Sequence, residues 1–209
     1  MLSVEIFHLG PLETNCYLLY NTAGNAVVID PGGNPEAVIA FLDAKGLRVT
    51  HILNTHLHFD HTGGNAELQT KTGAPILASA EDASLMQTEL GRGGFMGMPL
   101  TPAFDFDPLS AGPQQFLGEI CHVLATPGHS PGSLSFYFPN LGAVFCGDLI
   151  FYRSVGRTDF VGGDEVVLKK SAYTQILILP ETTVIYPGHG PQTDVHDARV
   201  NNPFFSDFK

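Results

Sequence analysis

Apolar residues fall along this chain in two rhythms. VEIFHL, NCYLLYN and AVVID are short apolar-rich runs bounded by turn residues, and they predict strands. PEAVIAFLDAK instead puts Val38, Ile39 and Leu42 on one helical face. Pro35 suits its first turn and Gly46 closes it. RVTHILNT then predicts a strand, GGNAELQTKTG a weaker helix ending at Gly73, APILAS a strand and AEDASLMQTEL a helix.

Residues 91–113 break both rhythms. Gly and Pro dominate there, with Phe and Met interspersed, and a loop of that length is expected to be a lid, a binding loop or a dimer contact. Beyond it EICHVLATPGH, GSLSFYF and GAVFCGDLIF predict further strands. Residues 164–178 predict a helix, TVIYPGHG a strand and loop, and DVHDARVNN a short last helix. The order is β, β, β-α-β-α-β-α followed by β, β, β-α-β-α. Two similar halves of mixed strands and helices suggest two sheets packed face to face with helices outside, in an α/β (α+β) class. One domain over residues 1–209 is expected from the length.

Composition narrows the picture by exclusion. With 44% hydrophobic and 15% charged residues the chain can bury a sizeable core. A formal net charge of −11 argues against a phosphate-tracking surface, so no nucleic-acid partner is expected. MLSVEIFHLG has neither a basic start nor a long apolar run, and no stretch nears the roughly 18 apolar residues of a membrane span. Cys16, Cys121 and Cys146 are an odd set without paired spacing. The expectation is a reduced, cytoplasmic protein without a membrane partner, either a monomer or a homodimer.

The candidate chemistry lies in where the polar residues sit. THLHFDH, residues 55–61, carries His56, His58, Asp60 and His61. Two positions apart in an extended segment, His56 and His58 lie on one side and could chelate one ion. Asp60 and His61 follow as the chain turns toward Gly63, and could face a second ion. His129, Asp148 and His189 each follow an apolar strand on a turn of small residues, where loops assemble sites from distant parts of a chain. Imidazoles and carboxylates suit Zn²⁺, and also Fe or Mn. Five His and two Asp exceed what one tetrahedral ion needs, and Asp148 could bridge a pair. Asp30 ends AVVID and is either a residue that fixes a ligating His or a plain turn residue of DPGG. His8, His51, His122 and His196 lie within predicted strands or helices and are expected to be structural. Cys16 and Cys121 are expected to pack as small apolar groups, and Cys146 to have no catalytic role.

THLHFDH with His129, Asp148 and His189 in order resembles the metallo-β-lactamase-fold hydrolases, across essentially the whole chain. The resemblance implies an αββα sandwich of two mixed β-sheets flanked by helices. It implies two divalent metal ions, with zinc the first expectation and iron or manganese also suited. One ion would be held by His56, His58 and His129, the other by Asp60, His61 and His189, with Asp148 between them. TPGHSPGSLSFYF, CGDLIFYRSVGRTDF and YPGHGPQT look most like the short bacterial glyoxalase II-like (hydroxyacylglutathione hydrolase-like) proteins. Full-length glyoxalase II carries a further C-terminal helical region that helps hold glutathione. This chain stops soon after His189, at Lys209, so the carrier thiol is left open.

The expected activity is hydrolysis of a small-molecule acyl thioester, such as S-D-lactoylglutathione, by a metal-activated hydroxide. Asp60 is the catalytic candidate, as a ligand that also orients the hydroxide. Tyr152, Arg153 and Arg157 are candidate substrate contacts, because the equivalent glyoxalase II loop contacts the glutathione carboxylate. Arg157 could instead form a salt bridge to Asp159 or Asp164. GRTDF also resembles the mononuclear-iron persulfide dioxygenases of the same fold, whose ligands would match His56, His129 and Asp148. The same donor set would also serve a hydrolase of another ester or lactone, or a metal-binding module without chemistry.

Overall fold

The computed structural model describes residues 2–206. They form two compact units. The first runs up to Leu109 and takes in Phe116–Gly118; the second comprises Ser110–Gln115 and the chain from Glu119 onward. The break falls at the end of the Gly-rich stretch, as the two-half pattern of the sequence leads one to expect.

The first unit is built on a six-stranded sheet. In chain order its elements are β1 (Leu2–Leu9), β2 (Thr14–Asn21), β3 (Asn25–Ile29), α1 (Glu36–Lys45), β4 (Arg48–Leu53), α2 (Phe59–Thr62), α3 (Asn65–Thr72), β5 (Ile76–Ala78), α4 (Glu89–Arg92) and β6 (Asp107–Pro108). The strands lie in the order β1-β2-β3-β4-β5-β6. β1, β2 and β3 pair antiparallel, while β3 to β6 run parallel. Parallel neighbours end at one edge of the sheet, so the residues after β3 and after β4 emerge side by side.

One core cluster joins this sheet to α1 and α3. Cys16, Leu18, Val28 and Ile52 pack with Val38 and Leu42 of α1 and Leu68 of α3. The helical spacing of Val38 and Leu42 is what directs that face inward. Gly46 caps α1 at φ 63°, a left-handed conformation that a Cβ disfavours. The helix expected over AEDASLMQTEL is interrupted. A 3₁₀ helix covers Ala80–Gln87, Thr88 turns extended, and α4 begins after it. The Thr88 hydroxyl donates to the Leu85 carbonyl at 2.7 Å and so competes with the helical ladder.

The second unit carries a sheet in the order β14-β13-β10-β9-β8-β7. Its elements are β7 (Gly112–Phe116), β8 (Glu119–Ala125), β9 (Leu134–Phe138), β10 (Ala143–Gly147), β11 (Ile150–Phe151), β12 (Ser154–Val155), α5 (Glu165–Ser171), β13 (Val184–Pro187), β14 (Thr193–Asp194) and α6 (Val195–Asn201). β8, β9 and β10 alternate direction, and β10 runs parallel to β13. β8, β10 and β13 therefore all end at the same edge. Val144, Cys146 and Ile185 pack beneath Leu168, Ile176, Val195 and Phe205. The helix expected over 164–178 continues past α5 as a π-helical turn, Ala172–Ile176. Asp164 and Asp194 cap α5 and α6, accepting from Val167 N at 2.9 Å and Asp197 N at 2.7 Å.

Candidate metal centre

The first donor cluster follows β4 directly. The strand stops at Leu53, so His56 and His58 do not lie in a strand; His58 keeps extended dihedrals at φ −73°, ψ 148°. Their rings meet edge to face at 4.7 Å, and His56 lies 4.1 Å from the His61 ring. The turn expected after His58 is the four-residue α2, which carries Asp60 and His61. His61 Nε2 lies 3.7 Å from Asp60 Oδ2. All four side chains are buried.

Asp30 hydrogen-bonds into this cluster from the DPGG turn. At the end of β3 it takes a left-handed φ of 51°, which aspartate tolerates. Its carboxylate accepts from Thr55 N at 2.8 Å, from the Thr55 hydroxyl at 2.6 Å and from His61 Nδ1 at 3.0 Å. A proton on Nδ1 puts the lone pair of His61 on Nε2, the nitrogen a metal ion would take. Three neighbours carry no ligand-like pattern in the sequence. Thr55 bridges Asp30 to His56 Nδ1 at 3.0 Å, and Asn54 donates to the His61 carbonyl at 3.0 Å. Asp82, wholly buried, accepts from Leu57 N, between His56 and His58. Asn54 and Thr55 adjoin the motif and could have been suspected. Asp82 lies 25 positions away and left no local signal.

The second unit presents its own cluster. Asp148 follows β10 without a gap, and His129 and His189 follow β8 and β13 by a few residues. Asp148 Oδ2 lies 3.5 Å from His129 Nε2 and 3.7 Å from His189 Nε2. One carboxylate oxygen thus faces two imidazole nitrogens brought from different loops. The Arg157 carbonyl accepts from His129 Nδ1 at 2.7 Å, which again puts the lone pair on Nε2.

Two glycines make room for the backbone of Asp60 and Asp148. A Cβ on Gly32 would sit 1.9 Å from the Asp60 carbonyl oxygen, and one on Gly156 would sit 1.8 Å from that of Asp148. Both are forbidden contacts, so DPGG and SVGR owe their glycines to the Asp60 and Asp148 backbone beside them.

The candidate substrate contacts are engaged within the second unit. Arg157 clasps Asp159 through two bonds of 2.7 and 2.6 Å and lies over the Phe160 ring at 3.9 Å. Of Asp159 and Asp164, then, Asp159 is its salt-bridge partner. That bond pulls the Asp159 carboxyl down to about 2. Arg153 makes a similar fork to Asp197 at 3.1 and 2.9 Å and packs over Tyr152. His8, His51, His122 and His196 sit in β1, β4, β8 and α6, as expected. Burial pushes the thiols of Cys121 and Cys146 up to about 12, and that of Cys16 well above its ordinary value, which suits packing groups and not nucleophiles.

The donor chemistry fits divalent transition-metal ions: imidazoles tied through Nδ1, with carboxylates beside their Nε2 atoms, are borderline ligands of the kind Zn, Fe and Mn accept. Residues 9–189 match the metallo-β-lactamase superfamily model, and the chain belongs to that superfamily. It has the metallo-β-lactamase fold, mixed α/β with two mixed sheets flanked by helices. It is 37% identical over 204 residues to the probable metallo-hydrolase YqgX of Bacillus subtilis, covering 96% of each chain. It is 32% identical over 209 residues to hydroxyacylglutathione hydrolase GloC of Haemophilus influenzae, covering 98% of this chain and 99% of GloC. Among solved structures, BLEG-1 B3 metallo-β-lactamase superposes with a TM-score of 0.92 at 36% identity, covering 98% of this chain and all of that one. TTHA1623 in a di-iron-bound form gives 0.86 at 38%, covering 96% and 99%. Among the described residues no helix is long and apolar enough to cross a membrane.

Proposed function

We propose that the chain works as one domain with a dinuclear metal centre that hydrolyses an acyl thioester such as S-D-lactoylglutathione. His56, His58 and His129 would hold one ion, and Asp60, His61 and His189 the other, with Asp148 between them. The observation that carries this is the Asp148 carboxylate oxygen, which lies near two imidazole Nε2 atoms, at 3.5 Å from His129 and 3.7 Å from His189. A carboxylate so placed would suit a site that holds two ions close together. The di-iron form of TTHA1623 supports two ions, and the likeness to GloC supports the thioester.

When bound, such ions bring the pKa of a coordinated water to about 7 and polarise the acyl carbonyl. The chain's own residues orient the reaction. Asp60 accepts a hydrogen bond from the attacking water and aims it at the carbonyl carbon. Asp30 and the Arg157 carbonyl hold His61 and His129 in the tautomer that presents Nε2. Burial of His56, His61 and His129 keeps bulk water away from those rings. A thiolate leaves readily, so no separate general acid is required. Tyr152, Arg153 and Arg157 would meet the carboxylates of a glutathione-like carrier by exchanging Asp197 and Asp159 for substrate.

Thiol release from S-D-lactoylglutathione by the zinc-loaded protein tests this. Turnover that vanishes in a folded Asp60→Ala variant is the expected result. Absence of thioester cleavage, with oxygen uptake on glutathione persulfide by the iron-loaded protein, would assign the mononuclear-iron dioxygenase instead.

A further inference from the structure

We propose that the hairpin spanning residues 92–101 is a clamp on the ligand turn, with Phe95 as a positioning residue that acts through Phe59. The proposal rests on the assignment of His58 and Asp60 as metal ligands, since Phe59 lies between them in α2.

The Gly-rich stretch is not shapeless at this point. Thr101 N donates to the Arg92 carbonyl at 2.9 Å, Gly94 N to Pro99 at 3.1 Å and Met98 N to Phe95 at 2.8 Å. An antiparallel bridge joins Gly93 to Leu100. These bonds set a continuous register around a two-residue turn at Met96 and Gly97. Both turn residues have positive φ, 49° and 79°, as the mirror-image turns of tight hairpins require.

The hairpin is keyed to α2 at three points. The Phe95 ring meets the Phe59 ring edge to face, with centroids 5.5 Å apart and planes at 79°. The Thr101 hydroxyl donates to the Phe59 carbonyl at 3.4 Å. A Cβ on Gly93 would press on Phe59 at 3.3 Å and strike the Pro99 carbonyl at 2.2 Å, so only glycine lets the arm lie this close. Phe59 is 8% exposed, and its neighbours His58 and Asp60 share a backbone of one short turn. A shift of the Phe59 backbone therefore carries His58 and Asp60 with it. A four-residue helix has no cooperative stability of its own and takes its orientation from what packs on it.

The test is metal affinity, read by competition with a chromogenic chelator, alongside the kinetics. Phe95→Ala is expected to weaken binding of the weaker of the bound ions by about tenfold, the scale seen when a ligand's supporting group is lost. It should also lower kcat while leaving KM unchanged. Phe95→Tyr keeps the ring and should retain both properties. Phe41→Ala, on α1, removes a comparable edge-on aromatic contact with Phe7 of β1 at 5.8 Å. It should lower thermal stability without changing metal affinity. Unchanged affinity in Phe95→Ala, or an equal loss in Phe41→Ala, would overturn the clamp. A wild-type protein that binds no metal would overturn both the clamp and the metal centre. Absence of thioester turnover with the metal result intact would uphold the clamp and remove only the proposed substrate.

Discussion

Asp30 and His61 stand 31 positions apart in sequence, yet the carboxylate of one holds Nδ1 of the other at 3.0 Å. Parallel pairing of β3 and β4 makes this contact, because both strands end at the same edge. Asp30→Asn keeps the volume and removes the charge. Its expected outcome is a loss of metal affinity of about 10–100-fold, with the fold retained. Chelator competition and a circular dichroism spectrum check the two halves of that statement. Thr55→Val should show a smaller loss, since it takes a neutral hydroxyl, not a carboxylate, away from His56 Nδ1.

Gly156→Ala places a methyl group where the Asp148 carbonyl oxygen now sits. Overpacking of this kind costs about 1–3 kcal/mol. The variant should unfold at lower denaturant, and because the displaced residue carries the central carboxylate, it should also purify with less metal. A stable variant with full metal content would mean that the loop accommodates the methyl without moving Asp148.

The Arg157 side chain and backbone serve different ends. The carbonyl orients His129, whereas the exposed guanidinium pairs with Asp159 and holds its carboxyl down at about 2. A carboxyl depressed in the folded state contributes stability above its ordinary value near 3.8, and that contribution is lost as pH falls through about 2. Carboxyl titration followed by NMR should place Asp159 near the lower value in the native protein and return it toward the ordinary value in Arg157→Ala. That variant keeps the carbonyl, so its metal content should not change. If KM for a glutathione thioester rises in it, the guanidinium contacts substrate.

Met96 holds a left-handed φ of 49° at a hairpin tip and is 90% exposed. A side chain there costs about 1 kcal/mol or more, and burial returns nothing to offset it. Asn-Gly suits this turn better than Met-Gly. Met96→Asn should raise the melting temperature by roughly 2–4 °C. A lower melting temperature would indicate that the methionine makes a compensating contact.

Much of this was legible in the sequence. Apolar runs ending in DPGG, THLHFDH, TPGH, CGD and PGHG placed the strands, and the residues just beyond them supplied the candidate donors. Spacing alone could not show which residues support the donors. Asp82 reaches Leu57 through the fold, and the Arg157 carbonyl acts without its side chain, so neither leaves a pattern in residue identity. Local competition also misled. AEDASLMQTEL reads as one helix across Thr88, but the threonine hydroxyl and amide both turn back to Leu85. Residues 91–113 read as loop because Gly and Pro mask a hairpin held by only a few backbone bonds.

The central claim is a dinuclear centre that cleaves a thioester, and one titration tests it most directly. Metal-free protein is given increasing equivalents of zinc, and thiol release from S-D-lactoylglutathione is measured at each step. A rate that climbs and levels off at about two equivalents per chain is the predicted result, as a two-metal site requires. A full rate at one equivalent, or no thiol release at any loading, would contradict the account.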